Sequence, residues 1–358
     1  MSTMTTDPQR VEAFAQQMVD TLNHGALCLM ISIGHRTGLF DALAAAGPVD
    51  AAGLAERAGL DQRYVTEWLG AMTAGRVVEH DPDGGTYTLP AEHAQIITRE
   101  ADENLAVFAQ YIPMFGANED DILTCFREGG GLGYEHFPRF HEAMEEESAQ
   151  AVVPALRSKI LPLVPGLVER LERGIRAIDV GCGRGRALVE LASAFPNSTF
   201  TGYDLSVDAI ARARETAAAQ GLDNVAFHAV DAARLAEVEQ PGAAGLVVTF
   251  DAVHDQADPD AVAAAIRRTL ADGGVYLAQD INAAGSHDAD RDHPLGPFVF
   301  TASCLHCMTV SLADGGAGYG AMWGRDRAEA LFRRAGFADV EIRTLDDAPT
   351  SVFYVCRP

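Results

Sequence analysis

Residues 175–185 read IRAIDVGCGRG. An apolar run ends in an acid, Asp179, and glycines follow at alternate positions, Gly181, Gly183 and Gly185. A helical pattern, RALVELASAF, comes next. Strand, glycine loop and helix in that order bring bare backbone close against a ligand. The spacing narrows the choice of ligand. A dinucleotide-binding G-x-G-x-x-G loop requires glycine at position 186, which is Arg186. A phosphate-cradling loop ends in Lys-Ser or Lys-Thr, and neither pair follows these glycines. The pattern that remains is D-x-G-x-G-x-G.

Two further acids stand at comparable places. TFTGYDLS reads as a second strand with Asp204 at its end, 19 residues beyond Gly185. A carboxylate there offers two acceptor oxygens to the paired hydroxyls of a ribose. VDAIARARETAAAQG is then a helix closed by Gly221. NVAFHAVDAARL is a third strand ending in Asp231, with the small Ala232 after it. LVVTFDAVHD and GGVYLAQDIN are a fourth and a fifth strand. Helix capping accounts for one aspartate in such a place, whereas three at successive strand ends point to a shared ligand, a nucleoside.

The elements that must position these residues fall into three blocks. Residues 10–100 read as a helical domain with a small ribbon. RVEAFAQQMVDTLNHGALCLMISIGHRTGLFDAL has helical apolar spacing with a break expected near Gly34. Two short helices follow, with Asp50 and Asp61 where N-caps belong and Gly59 at the turn, then a hairpin with Asp83-Gly84-Gly85 at its tip. Helix, turn, helix and ribbon make a winged helix. Residues 101–173 form a mostly helical linker, and residues 174–358 the alternating β/α domain. Within the latter, residues 286–322 read as a long irregular insert of the kind that forms a lid or binding loop. DRAEALFRRAGF and two closing strands complete the chain.

Composition restricts the function classes. The chain has 358 residues and a net charge of −24, and Lys159 is its one lysine. Residues 1–100 hold six arginines, no lysine and thirteen acids, which is not the basic footprint of a DNA reader. No run of eighteen apolar residues and no signal-peptide pattern occurs, so neither nucleic acid nor membrane is expected as a partner. The first ten residues read as a short disordered tail. The six scattered cysteines fit reduced thiols in the cytoplasm. Cys304-Leu305-His306-Cys307 lacks the second ligand pair of a zinc site, so no metal is expected.

Together these patterns resemble the class I S-adenosylmethionine (SAM) methyltransferases that carry an N-terminal winged helix, the caffeic-acid-type and bacterial polyketide O-methyltransferases among them. They look closer still to a bacterial set of uncharacterised winged-helix methyltransferases with a segment similar to LHCMTVSLADGGAGYGAMWG, residues 305–324. The resemblance implies an α/β fold, a Rossmann-like seven-stranded methyltransferase sheet behind a mostly α winged-helix domain that packs two subunits into a homodimer. It implies SAM as cofactor and S-adenosylhomocysteine (SAH) as product. The cofactor contacts would be Asp179, Gly181, Gly183, Gly185, Asp204, Leu205, Asp231, Ala232 and Phe250, with Asp231 meeting the adenine amino group.

In O-methyltransferases of this architecture the fourth strand leads into a His-Asp pair whose histidine is the general base, and here that pair is His254-Asp255. Asp280, at the end of the fifth strand, would support it. The family places Trp after the pair where this chain has Gln256, which alters the pocket floor. Tyr111 and Phe115, with Met114, and His306, Met308 and Trp323, with Phe298, Phe300 and Tyr319, are candidates to line the pocket for a small-molecule acceptor, with oxygen the expected acceptor atom. Two other readings remain open: a winged-helix regulator that senses SAM or a metabolite, and a methyltransferase fold that performs other chemistry.

Overall fold

The computed structural model describes residues 6–101 and 104–358. The tail expected to be disordered falls in part, residues 1–5, outside the described residues. The chain divides into two compact units, Met1–Gly116 and Ala117–Pro358, so the helical segment 101–173 is shared between them.

In the first unit a 30-residue helix, Pro8–Thr37, starts from Asp7, whose carboxylate accepts the N–H of Gln9 at 2.9 Å. It runs through Gly34 and ends at Gly38, which takes the left-handed conformation at φ 73°. The break expected near Gly34 therefore falls four residues later. Gly34 serves packing instead: a Cβ there would lie 2.7 Å from the rings of both Phe40 and Trp68. The Trp68 indole donates to the Met30 carbonyl at 2.9 Å, tying the long helix to Gln62–Ala74. Helices Ala51–Ala58 and Gln62–Ala74 are capped by Asp50 and Asp61 and turn through Gly59, as their sequence predicts. Strands β1 (Glu79–Asp81) and β2 (Thr86–Thr88) form the hairpin around Gly84 and Gly85. The outer face of the long helix carries Phe14, Met18, Leu22, Leu29 and Ile33, of which Phe14 is 60% and Leu22 69% exposed.

The second unit is built on seven strands, β3 (Arg176–Val180), β4 (Thr199–Asp204), β5 (Val225–Ala229), β6 (Ala244–Phe250), β7 (Leu270–Ile281), β8 (Asp339–Leu345) and β9 (Ala348–Arg357). Their order is β5-β4-β3-β6-β7-β9-β8, parallel from β5 to β7, with β9 antiparallel between β7 and β8. Alternation splits the core. Leu246, Val248 and Leu277 face one layer with Leu188 and Phe200, while Val247 and Tyr276 face the other with Phe332 and Tyr354. After β3 the chain builds outward through β4 and β5, then returns to pair β6 on the other side of β3. That reversal opens a crevice at the carboxyl ends of β3 and β6, where open α/β sheets bind ligands.

The segment 286–322 departs from expectation. Its middle is helical, Gly296–Ala302 and Met308–Ala313, joined by a π-turn at Ser303–Cys307. The stretch FVFTASCLHCMTVSLA contains neither Gly nor Pro, so nothing in it interrupts a helix. Gly296–Ala313 has the length of a membrane span and a mean hydropathy of 1.3. Its polar residues His306, Thr309 and Ser311 are nevertheless buried in the unit. All six cysteines are free thiols, and no group of three or more potential metal ligands occurs among the described residues.

Candidate active site

The glycine loop follows β3. Gly181, Gly183 and Gly185 have φ of 77°, 52° and 73°, a left-handed run that glycine adopts at little cost. A Cβ at 181 would meet Ala252 at 2.4 Å and one at 185 the Phe227 ring at 2.5 Å, while a Cβ at 183 would meet nothing. The loop is thus packed at both ends and open in its middle. Asp204 fastens it. One carboxylate oxygen accepts the Gly183 N–H at 2.8 Å and the other the Ser206 N–H at 2.8 Å, and each keeps a lone pair for a further donor. Asp231 lies two residues past β5 and caps the next turn by accepting the Ala233 N–H at 2.9 Å. Ala232 is buried beside it, Phe250 packs against the core at the end of β6, and Leu205 is exposed on the loop after β4.

Asp179 is 2% exposed and its Oδ1 has no partner. Burial, then the nearby Asp204 charge, pushes its carboxyl up to about 8. Arg184, within the same loop, pairs with Glu145 at 2.8 Å but leaves its buried Nε unpartnered. One orphaned acceptor and one orphaned donor match by type the ammonium and carboxylate of an amino-acid tail. The residues present fit a cofactor that carries one.

On the other side of the crevice, β6 leads into the loop that carries His254. Asp251 adopts φ 51°, a left-handed conformation uncommon outside glycine that Asp enters more readily than most residues, and donates its N–H to the Gln279 carbonyl at 3.1 Å. His254 is 4% exposed, and its Nδ1 lies 2.8 Å from Asp280 Oδ1. Burial alone lowers the imidazole pKa, but the Asp280 charge outweighs it, and with a hydrogen bond to Cys307 holds it well above 6.5. Asp255 accepts the Tyr134 hydroxyl at 2.6 Å, and burial raises its carboxyl against the opposing pull of His254. Gln256, where the resemblance leads one to expect Trp, donates to the Ala252 carbonyl at 2.7 Å and so closes the His254 loop on itself.

The segment 286–322 anchors this loop. Ser311 Oγ donates to the Gln256 carbonyl at 2.8 Å, and Gly320 N–H donates to the His254 carbonyl at 3.1 Å. His306 is 1% exposed, stacked on Phe140 at 3.6 Å between ring centroids and edged by Phe137 and Tyr134. Neither of its ring nitrogens has a partner. Burial, then the charges of His254 and His141, pushes it down to about 3, so it is neutral. Met308 lies against Gly320. Trp323, expected at the pocket, instead sits in the core on one face of the sheet, stacked on Tyr319 at 5.5 Å. Its spacing from His306 does not reveal that the chain turns under the sheet first. Tyr111 and Phe115 are buried and stacked on each other within the first unit.

Tyr134, Phe140 and Asp251 escape the sequence reading. The one local signal is GGGLGY: a Cβ on Gly131 would lie 2.0 Å from the Thr309 carbonyl oxygen, so this glycine marks a close approach that leads to Tyr134.

Comparison with known proteins agrees with this architecture. Residues 25–99 match the Rv2258c-like winged HTH domain, and residues 171–310 match a methyltransferase domain. The human N-acetylserotonin methyltransferase in complex with SAM superposes with a TM-score of 0.70 at 17% identity, over 100% of this chain and 99% of the other. The mitomycin 7-O-methyltransferase MmcR gives 0.71 at 17%, over 98% and 100%. At such identity these likenesses establish the fold. Curated relatives match over short stretches only. A tRNA (guanine-N(7)-)-methyltransferase of Christiangramia forsetii is 44% identical over 50 residues, 14% of this chain and 22% of that protein. A release factor glutamine methyltransferase of Deinococcus radiodurans is 40% identical over 76 residues, 21% of this chain and 27% of that protein. The chain thus spans about a quarter of the length of the curated relatives it matches. The chain thus joins an Rv2258c-like winged HTH domain, residues 25–99, to a methyltransferase domain, residues 171–310, built on a seven-stranded sheet.

Proposed function

We propose that the protein methylates a hydroxyl oxygen of a small molecule, with SAM as donor and His254 as general base. The observation that carries this reading is the His254–Asp280 contact at the mouth of the crevice, one strand away from the glycine loop. Bound SAM supplies a methyl carbon already activated by its sulfonium. The chain's part is to position and to move one proton. Gly181, Gly183, Gly185, Asp204 and Asp231 would hold the nucleoside, Asp179 and Arg184 the amino-acid tail. Asp280 keeps hydrogen on Nδ1 of His254, so Nε2 is the atom that takes the acceptor proton. A hydroxyl is a poor nucleophile until that proton leaves, and most of the remaining rate comes from alignment.

The exposed stripe on the helix Pro8–Thr37 supports a homodimer. Phe14, Met18, Leu22, Leu29 and Ile33 share one face and carry no charge, so two copies of a chain of net charge −24 can meet there without opposing like charges. In the winged helix, Arg63 of the helix Gln62–Ala74 pairs with Glu67, which weighs against DNA as the ligand of that module. Free thiols throughout fit a reducing compartment such as the cytoplasm.

Thermal-shift titration with SAM and SAH tests the reading. Both should raise the melting temperature in a concentration-dependent way, and folded protein that responds to neither ligand refutes it.

A further inference from the structure

The unsatisfied polar atoms around His254 indicate what the acceptor must bring, granted the reading above that this side of the crevice receives it. Four carboxyls stand there. Asp280 is bonded to His254, Asp255 to Tyr134, and Asp251 feels the charges of Asp280, His254 and Glu147. Among the described residues, the charges that weigh most on Asp251 and Asp255 come from carboxyls and from His254, and no arginine or lysine is among them. Carboxyls thus dominate the surroundings of Asp251, with Arg184 lying farther off beside His141 and paired to Glu145.

Two groups here lack a partner. The Oδ1 of Asp251 is buried and unbonded, while its Oδ2 receives only the Gln279 amide at 3.2 Å. The His306 imidazole is buried and unbonded at both nitrogens. A carboxylate oxygen can only accept, and a neutral imidazole accepts through one nitrogen. Asp251 therefore lacks a donor, whereas His306 lacks a donor at one nitrogen and an acceptor at the other. Leaving a buried acceptor unmet is costly, and Asp251 also holds a left-handed backbone that is uncommon outside glycine. Burial, then the Asp280 charge, pushes the Asp251 carboxyl up to about 7, so a positive group facing it would favour its ionised form.

We propose that the acceptor carries a basic nitrogen, and that Asp251 binds it as an ammonium while the group to be methylated lies at His254. An acceptor bearing a carboxylate or phosphate would face like charge on this side. A neutral donor would satisfy Asp251 Oδ1 without answering the excess of acid.

The test uses the full chain with and without SAH and three phenols matched in size, bearing an aminoethyl, a hydroxyethyl or a carboxyethyl arm. Binding is read by calorimetry and thermal shift. The aminoethyl phenol should bind at least about tenfold more tightly than either other, a difference of about 1.4 kcal/mol. Asp251→Asn should erase that preference and leave SAH affinity unchanged. Equal or tighter binding of the carboxyethyl or hydroxyethyl phenol, no binding of the amine at about millimolar concentration, or a preference that survives in Asp251→Asn overturns the proposal. Should the variant not fold, the comparison on the natural chain decides. Failure of SAH to bind strikes the methyl-transfer reading instead, since the amine preference is also scored on the SAH-free chain.

Discussion

The imidazole of His254 and the carboxylate of Asp280 meet at 2.8 Å, joining the loop after β6 to the end of β7. The contact raises the histidine pKa well above 6.5. A group raised on folding contributes stability that is complete below the unfolded pKa and lost as pH rises through the folded one. In the proposed mechanism catalysis runs the other way, because a general base acts only when neutral. Turnover should therefore rise with pH along a limb above 6.5, and Asp280→Asn should move that limb down while lowering kcat about 10²-fold or more. Rate–pH profiles of both proteins measure this. A limb at or below the ordinary histidine value in the natural chain contradicts it.

The buried Asp179 makes cofactor binding pH-dependent. Its carboxyl stands at about 8 in the absence of a cation. Between its ordinary value and about 8 the folded chain holds a proton that the unfolded chain has released, so this group lowers stability as pH rises through that interval. An ammonium placed opposite favours the ionised form, so binding expels the proton. SAH affinity should strengthen as pH approaches 8 from below, and proton release should be visible as a buffer-dependent enthalpy. Asp179→Asn should flatten both trends. A pH-independent affinity in the natural chain would exclude the linkage.

The apolar face of the first helix predicts the assembly state. Light scattering should find a dimer for the natural chain, and Met18→Glu with Leu22→Glu should yield a monomer that still binds SAH. A natural chain that is monomeric at micromolar concentration removes the dimer.

Gly131 holds the segment that carries Tyr134. A methyl group there meets the Thr309 carbonyl oxygen at 2.0 Å and the Ala313 nitrogen at 2.5 Å, both backbone atoms that cannot step aside cheaply. Gly131→Ala should cost about 1–3 kcal/mol of stability and reduce turnover by loosening the Tyr134–Asp255 bond. Denaturant unfolding and steady-state rates check the two effects, and an unperturbed variant would show that the close approach is not needed.

The parts legible in the sequence are those with a local period or spacing. The strands of the sheet announce themselves by apolar runs and the loop by its glycines, while the pairing of His254 with Asp280, at the end of its strand, is implied by the family resemblance. The helix Gly296–Ala313 hides because Gly, His and Asp crowd its flanks and give the whole segment the composition of a loop. Tyr134 and Asp255 lie 121 residues apart, and no window of sequence contains their bond. Asp251 is a further case: its chemistry comes from burial and from a left-handed backbone, neither of which its letter encodes. Trp323 reads equally well as pocket wall or core, and only the path of the chain decides.

The widened turn at Ser303–Cys307 holds one residue more than an ordinary helical turn would. Removing one of its five residues would restore regular winding, because the widened turn absorbs the extra residue, and would leave the helical segments on either side facing as they do now. Thr309 and Ser311, which fix the latter part to Leu132 and Gln256, would stay in place. The change would fall on the turn itself, where His306 sits among Tyr134, Phe137 and Phe140. A deletion of a single codon at this turn should therefore reshape the surroundings of one imidazole and spare the rest of the segment.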